Sequence, residues 1–223
     1  MTLALLMAGF LAATPGTLET ARARQDRPAL EKAIEVHAAA AAKAPNDADA
    51  QYRLALACSY LAEIEIEQRD KKAARQVAER GIKAAEKAIS LKPDAAESYR
   101  VLGTLYGQAI TDIMSGLSYG PKAKEAINKA VDKAPKSSAV YVARGVGNYY
   151  LPAQLGGGAK AAIPDFRKAI QLDSKNAEAW LWLGIALRQS GQEAEARQAL
   201  TRSLELEPDR VWAKQQLDKT PAK

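Results

Sequence analysis

Residues 177–210 read AEAWLWLGIALRQSGQEAEARQALTRSLELEPDR and contain two patterns of large and small residues at helical spacing. The first pattern combines large apolar residues with a glycine, at Trp180, Leu183, Gly184 and Leu187. The second combines a small residue, a large residue, another small residue and a closing proline, at Ala196, Leu200, Ser203 and Pro208. Small residues let two antiparallel helices approach closely, and large residues fill the space beside them. The proline then ends the second helix.

The second pattern recurs upstream, which identifies this chain as a repeat protein. Its earlier copies are Ala33/His37/Ala40/Pro45, Gly81/Ala85/Ala88/Pro93, Ala123/Ile127/Ala130/Pro135 and Ala162/Phe166/Ala169/Ser174. In chain order, the closing positions are separated by 48, 42, 39 and 34 residues. The first pattern is best kept at Tyr99, Leu102, Gly103 and Tyr106. Such periods indicate stacked helical pairs, whose surfaces bind other molecules more often than they catalyse reactions.

Together the two patterns resemble the tetratricopeptide-repeat (TPR) family, whose consensus is W-x2-L-G-x2-Y followed by A-x3-F, A and P. The resemblance covers roughly residues 28 to 208. It implies an all-α superhelical solenoid of about ten helices. The Ala/Leu/Glu/Lys/Arg-rich composition independently favours helices, and alternating strand patterns are nearly absent. The wide early spacing predicts longer helices or loops there, with two long helices in the first repeat.

We predict one domain over residues 24–223. It comprises a leading half-repeat, four repeats and a cap helix, because a solenoid needs atypical ends to close its core. The predicted boundaries are 28–45 for the half-repeat, about 48–93, 96–135, 138–174 and 177–208 for the repeats, and 210–219 for the cap.

The first 23 residues have the pattern of a secretory signal peptide. Residues 3–13 are apolar and uncharged, and Ala21-Arg22-Ala23 provides a small-x-small cleavage pattern, although no Lys or Arg precedes the apolar segment. That segment is too short to cross a bilayer, so we expect no integral membrane span. We predict export to the periplasm or beyond the cell, with a mature chain that begins near Arg24. A chain that retains residues 1–23 would instead be cytoplasmic.

The formal net charge of +6 permits acidic partners. Lys and Arg are interleaved with Glu and Asp along the helices, however, and no basic run of five or more residues occurs. This pattern is typical of a solvated helix face with local ion pairs. We therefore expect no nucleic acid among the partners.

Few residues in this sequence could support catalysis, a metal or a cofactor, so we expect none of the three. Cys58 and His37 are the only Cys and His, and both occupy helix positions typical of packing residues. A zinc site draws on several such ligands. The glycines at 156–158 do not open the Gly-Lys-Ser/Thr order of a phosphate-binding loop. Glu63 and Glu67 lie one helical turn apart, and we expect both to be solvated.

In a TPR array the first helix of each pair lines a concave groove, so the resemblance places a set of side chains there. Tyrosines and arginines predominate in the set, and these residue types often anchor protein interfaces. The predicted groove residues are Tyr52, Tyr60, Arg100, Gln108, Tyr149, Tyr150 and Arg188. We therefore predict a non-catalytic adaptor or scaffold that binds an unidentified protein or peptide segment.

A second resemblance keeps a small-ligand role open. The long first-repeat helices and the loop at 150–158 are similar to an exported bacterial TPR subgroup that includes the periplasmic T component of tripartite ATP-independent (TRAP) transporters. This resemblance implies a transport-accessory protein with an enclosed pocket, in which Arg100 would suit a small anionic ligand. Some TPR domains clamp chaperone C-terminal carboxylates with a Lys-x3-Asn pair. That pair is absent, because Tyr52/Leu56 and Arg100/Thr104 hold its places.

Overall fold

The computed structural model describes residues 15–221, with side chains from residue 18 onward. Within that range it contains eleven α-helices, one short 3-10 helix and no β-strand. The α-helices are α1 (Pro15–Ala23), α2 (Arg27–Lys43), α3 (Ala48–Glu67), α4 (Lys71–Leu91), α5 (Ala96–Gln108), α6 (Ile113–Lys133), α7 (Ser138–Tyr150), α8 (Ala159–Leu172), α9 (Ala177–Gln189), α10 (Glu193–Leu206) and α11 (Val211–Asp218). The predicted all-α solenoid is confirmed. None of the described helices combines the length and the apolarity that crossing a bilayer requires.

Four helix pairs build the array, namely α3 with α4, α5 with α6, α7 with α8, and α9 with α10. Successive pairs pack on each other through α4 and α5, α6 and α7, and α8 and α9. The first helices of the pairs also contact one another in sequence, α3 with α5, α5 with α7 and α7 with α9. They therefore line one face of the solenoid, while α2 and α11 cover its two ends.

The small residues of the repeat pattern let the two helices of a pair lie close together, with the large residues packed against them. In the last pair, a methyl group added at Gly184 would lie 2.6 Å from Cγ of Leu200. In the third pair, a methyl group at Gly145 would lie 2.5 Å from the ring of Phe166. Both large side chains are fully buried. Carbon atoms in contact prefer a separation of about 3.5–4.0 Å, so only glycine fits at these two positions.

The extra residues of the second and third repeats take different forms. In the second repeat they lengthen α6 to 21 residues, whose start is fixed by reciprocal hydrogen bonds between Asp112 and Ser115. In the third repeat they form a loop that contains the 3-10 helix Ala153–Leu155. The backbone N–H of Gly158 closes this loop by donating to the carbonyl of Asn148 at 2.8 Å. Gly158 has a φ of +99°, which favours glycine.

Helix α1 falls inside the segment predicted as a signal peptide and accounts for one helix more than the sequence predicted. It packs on α2 and α3, and Leu18 and Ala21 belong to the apolar core. The apolar segment 3–13 lies outside the described residues. A chain that begins near Arg24 would lack α1, while export and cleavage themselves stay predictions.

We expect Gly184→Ala to lower the free energy of unfolding by about 1–3 kcal/mol, because the added methyl group overpacks the contact with Leu200. Gly147→Ala is the matched control, since a methyl group there meets no atom within 4 Å. That control should stabilise the protein by up to about 1 kcal/mol through better helix propensity. Urea unfolding followed by circular dichroism measures both. A Gly184→Ala protein as stable as the parent would contradict the packing argument.

Candidate functional site

We define the groove as the concave surface formed by α3, α5, α7 and α9. Helix α1 lies across this surface. Its side chains bond to Tyr60 and Glu63 of α3 and to Glu178 of α9, which belong to the first and last pairs. The groove is therefore partly filled by the protein's own N-terminal helix.

Five charged side chains meet where α1 crosses the groove, and we call them the ion cluster: Arg22, Glu63, Glu67, Glu178 and Arg210. Arg22 donates to Glu63 from Nε at 2.9 Å and from Nη2 at 2.7 Å. Its Nη2 also lies 2.8 Å from Oε1 of Glu178. Arg210 donates to Glu63 at 2.6 Å, to Glu178 at 2.9 Å and to Glu67 at 2.6 Å. Each guanidinium therefore bridges the first repeat to the last.

The ion cluster is largely shielded from water and holds three carboxylates against two guanidiniums. Arg210 is 1% exposed and Glu67 is 4% exposed. Burial raises the pKa of Glu67 to about 7 and outweighs the opposite effect of Arg210. Burial also acts to raise the pKa of Glu178, but Arg22 and Arg210 overcome it and lower that pKa to about 2. Glu67 is thus the carboxylate that takes up a proton near neutral pH.

Local structure places the two arginines of the ion cluster. Gln25 turns the chain between α1 and α2 with a φ of +53°, and its side-chain amide donates to Glu67 at 2.7 Å. Arg210 immediately precedes α11, so the packing of that cap helix on α10 fixes its backbone. Arg24 and Asp209 add an ion pair of 2.7 Å that is more than half exposed on both sides. Exposed pairs of this kind contribute little to stability.

The predicted groove residues Tyr52, Tyr60 and Arg100 lie together beside α1. The phenol of Tyr60 donates to Glu19 at 3.4 Å, and the guanidinium of Arg22 lies 5.1 Å from the centre of the Tyr60 ring. Burial raises the pKa of Tyr60 to about 12, so the phenol remains a hydrogen-bond donor at neutral pH. Arg100 interacts electrostatically with the phenols of Tyr52 and Tyr60. These residues form the part of the groove next to α1.

Tyr149 and Tyr150 form an aromatic cluster with Trp182. The ring centre of Tyr150 lies 5.1 Å from that of Tyr149 and 6.0 Å from that of Trp182, edge-on in both contacts. Tyr150 is 61% exposed. Its phenol also interacts electrostatically with Glu63 and Glu67, so the aromatic cluster adjoins the ion cluster. The sequence did not single out Trp182, because the repeat consensus draws attention to Trp180 instead.

Two of the predicted groove residues bond within the array. Gln108 is 8% exposed, and its amide donates to the carbonyl of Ser59 at 3.0 Å while accepting from the Ser59 hydroxyl at 3.3 Å. Arg188 donates to the carbonyl and the side chain of Gln216 at 3.0 and 2.5 Å, which ties α11 to α9. We therefore leave both out of the binding surface proposed below.

The prediction that Glu63 and Glu67 are solvated is wrong, because both carboxylates belong to the ion cluster. Their side chains are 20% and 4% exposed. The sequence could not pair them, since Arg210 lies 147 and 143 residues further along the chain. One feature of the sequence did indicate charge in the groove. Glu178, in the first turn of α9, occupies a position that faces the groove in TPR arrays.

The groups that could support catalysis or ligand capture lie apart from the groove. Cys58 is buried, and burial raises its pKa to about 12, which makes it a poor nucleophile. His37 is also buried, and burial together with Arg53 lowers its pKa. Among the described residues, no three His, Cys, Asp or Glu side chains gather as a metal site requires. Surface cavities of about 540 and 350 Å³ lie against α2, outside the groove.

We expect the stability difference between the parent protein and Glu67→Gln to depend on pH. The folded-state pKa of Glu67 is raised to about 7, so its contribution to stability is fully present below about 4.5 and is lost as the pH rises through 7. The parent should therefore lose on the order of 1–3 kcal/mol relative to Glu67→Gln between pH 4.5 and 8. Urea unfolding of both proteins at several pH values measures this. A constant difference would show that Glu67 does not titrate as described.

Two sequence families match this chain. Residues 17–152 match the family described as Regulator of microtubule dynamics protein 1-3, and residues 157–217 match a tetratricopeptide repeat family. No curated protein matches the chain in sequence. The second match confirms the predicted resemblance to TPR proteins.

Solved structures provide a further comparison of the fold. A thermophilic TPR protein of Thermus thermophilus has a TM-score of 0.64 and 18% sequence identity, with 92% of this chain and 97% of that chain covered. MamA from Desulfovibrio magneticus has a TM-score of 0.48 and 17% identity, with 87% and 95% covered. The first likeness supports the fold alone, and the second is too weak to support an argument.

Proposed function

The chain belongs to the family of regulator of microtubule dynamics proteins 1-3, and we propose that it is a non-catalytic interaction module that binds a protein segment in its groove. TPR proteins generally mediate protein–protein interactions, because each stacked repeat adds side chains to one continuous concave surface. A microtubule-associated protein is the first partner to test, since the family description names microtubule dynamics.

The observation that carries this proposal is the aromatic cluster of Tyr149, Tyr150 and Trp182. Tyr150 exposes 61% of its surface although two neighbouring rings hold it in place. A fixed, exposed aromatic side chain loses little conformational entropy on binding and supplies a large contact area. Tyrosine and tryptophan are accordingly enriched among the residues that dominate binding energy.

The ligand-binding alternative, similar to the T component of TRAP transporters, is not favoured by the geometry. It requires a pocket in the groove, whereas the two cavities described above lie against α2 and give it no support. Arg100, which we expected to suit an anionic ligand, already donates to Glu97 at 2.7 Å. Export and a microtubule-associated partner exclude each other, because microtubules lie in the cytoplasm. The mass of the protein purified from its own cells decides between them: a chain that retains residues 1–23 fits the cytoplasmic partner, and a chain that begins near Arg24 fits export.

We expect a photo-crosslinking amino acid at Tyr150 to capture a specific partner polypeptide in the native cell. The matched control carries the same group at Asn128, an exposed position on α6 outside the groove. Mass spectrometry should identify one dominant adduct from the Tyr150 position and none of that identity from the Asn128 position. Equal adducts from both positions, or adducts from the Asn128 position alone, would contradict binding in the groove.

A further inference from the structure

We propose that the ion-cluster end of the groove is a receptor for a helix that carries an arginine, and that α1 fills it in the free chain. This inference rests on the proposed function and specifies the chemistry of the partner segment. The residues of α1 that face the array are Leu18, Ala21 and Arg22. We therefore expect the partner helix to carry a leucine four residues before its arginine and an alanine directly before it.

The charges of the ion cluster favour a cationic occupant. Without Arg22, the ion cluster would hold the carboxylates of Glu63, Glu67 and Glu178 against Arg210 alone. A largely buried group of carboxylates with so little compensation is costly, so the site requires a second cation. One oxygen of Glu178, Oε2, is buried and accepts no hydrogen bond from the described residues. It could therefore accept a further hydrogen bond from a bound guanidinium.

The geometry of the site fits arginine better than lysine. Arg22 uses Nε and Nη2 together on the two oxygens of Glu63. The same Nη2 reaches Glu178, and the guanidinium lies over the ring of Tyr60 at 5.1 Å. The planar guanidinium of arginine has several N–H donors and can make these contacts together, whereas a lysine ammonium offers a single point charge.

Helix α1 can leave the groove while the repeats stay intact. Its described part has 9 residues, and an isolated helix of that length is marginal in water. Its order therefore depends on contacts with the array, chiefly Leu18, Ala21 and Arg22. Arg210, in contrast, is fixed by the cap helix α11 and is 1% exposed. The receptor side of the site thus belongs to the array, and the occupant belongs to a terminal segment.

The test measures binding of a capped, fluorescent peptide with the sequence of residues 15–23, PGTLETARA, to the full chain. Arg22→Ala releases α1 from the site, and this protein should bind the peptide at least about tenfold more tightly than the parent does. Replacing the arginine of the peptide with glutamine should weaken that binding by at least about tenfold. Arg24→Ala is the matched control protein, because Arg24 pairs with exposed Asp209 outside the ion cluster, and it should behave like the parent.

A second measurement needs no variant of the protein. Hydrogen exchange of the α1 amides in the parent should accelerate when the arginine peptide is added in excess, and the glutamine peptide should have no effect. Two results would overturn the inference. In the first, the α1 amides of Arg22→Ala exchange as slowly as those of the parent. In the second, the α1 amides of Arg22→Ala exchange rapidly, but the protein does not bind the arginine peptide. Crosslinks from Tyr150 report any partner in the groove, whereas the peptide experiments report only the arginine site. Specific crosslinks from Tyr150 without arginine-dependent peptide binding would therefore contradict this inference alone, and the absence of a specific crosslink would contradict the proposed function.

Discussion

The ion cluster joins parts of the chain that the repeat architecture alone would leave apart. A solenoid forms its contacts between neighbouring repeats, yet Arg210 bonds to Glu63 and Glu67 across 147 and 143 residues. Burying so many charges is favourable only when each is paired and hydrogen-bonded, so their geometry is specific. The same contacts hold α1 in the groove through Arg22. Arg210 therefore closes the array and Arg22 holds α1 in the groove, through the shared carboxylates of Glu63 and Glu178.

The fold could be predicted from the sequence because its determinants are local. The small residue Gly184 and the large residue Leu200 lie within one helix pair, and their spacing alone indicates close approach. The ion cluster could not be predicted in this way, since nothing in the spacing links Arg22 to Glu178. Of the predicted groove residues, Tyr149 and Tyr150 lie together in the aromatic cluster, and their role in binding stays a prediction. Gln108 has the expected helix position, but a buried neighbour, Ser59, uses its amide.

The groove combines two kinds of recognition side by side. Tyr150 presents an exposed aromatic surface, and the carboxylates of Glu63 and Glu67 interact with its phenol from the neighbouring ion cluster. A partner helix that inserts an arginine among the carboxylates would bring its adjacent residues against the aromatic rings. Cleavage near Ala23, as the signal-peptide pattern predicts, would remove Arg22 and expose the acidic site.

A double-mutant cycle between Arg22 and Glu178 tests whether the ion cluster holds α1 in the groove. Urea unfolding would be measured for the parent, Arg22→Ala, Glu178→Gln and the double variant. The bridging geometry, with Nη2 of Arg22 2.8 Å from Glu178, predicts a coupling free energy of at least about 1 kcal/mol. A coupling free energy of zero within error would mean that the two side chains act independently and that α1 is held by other contacts.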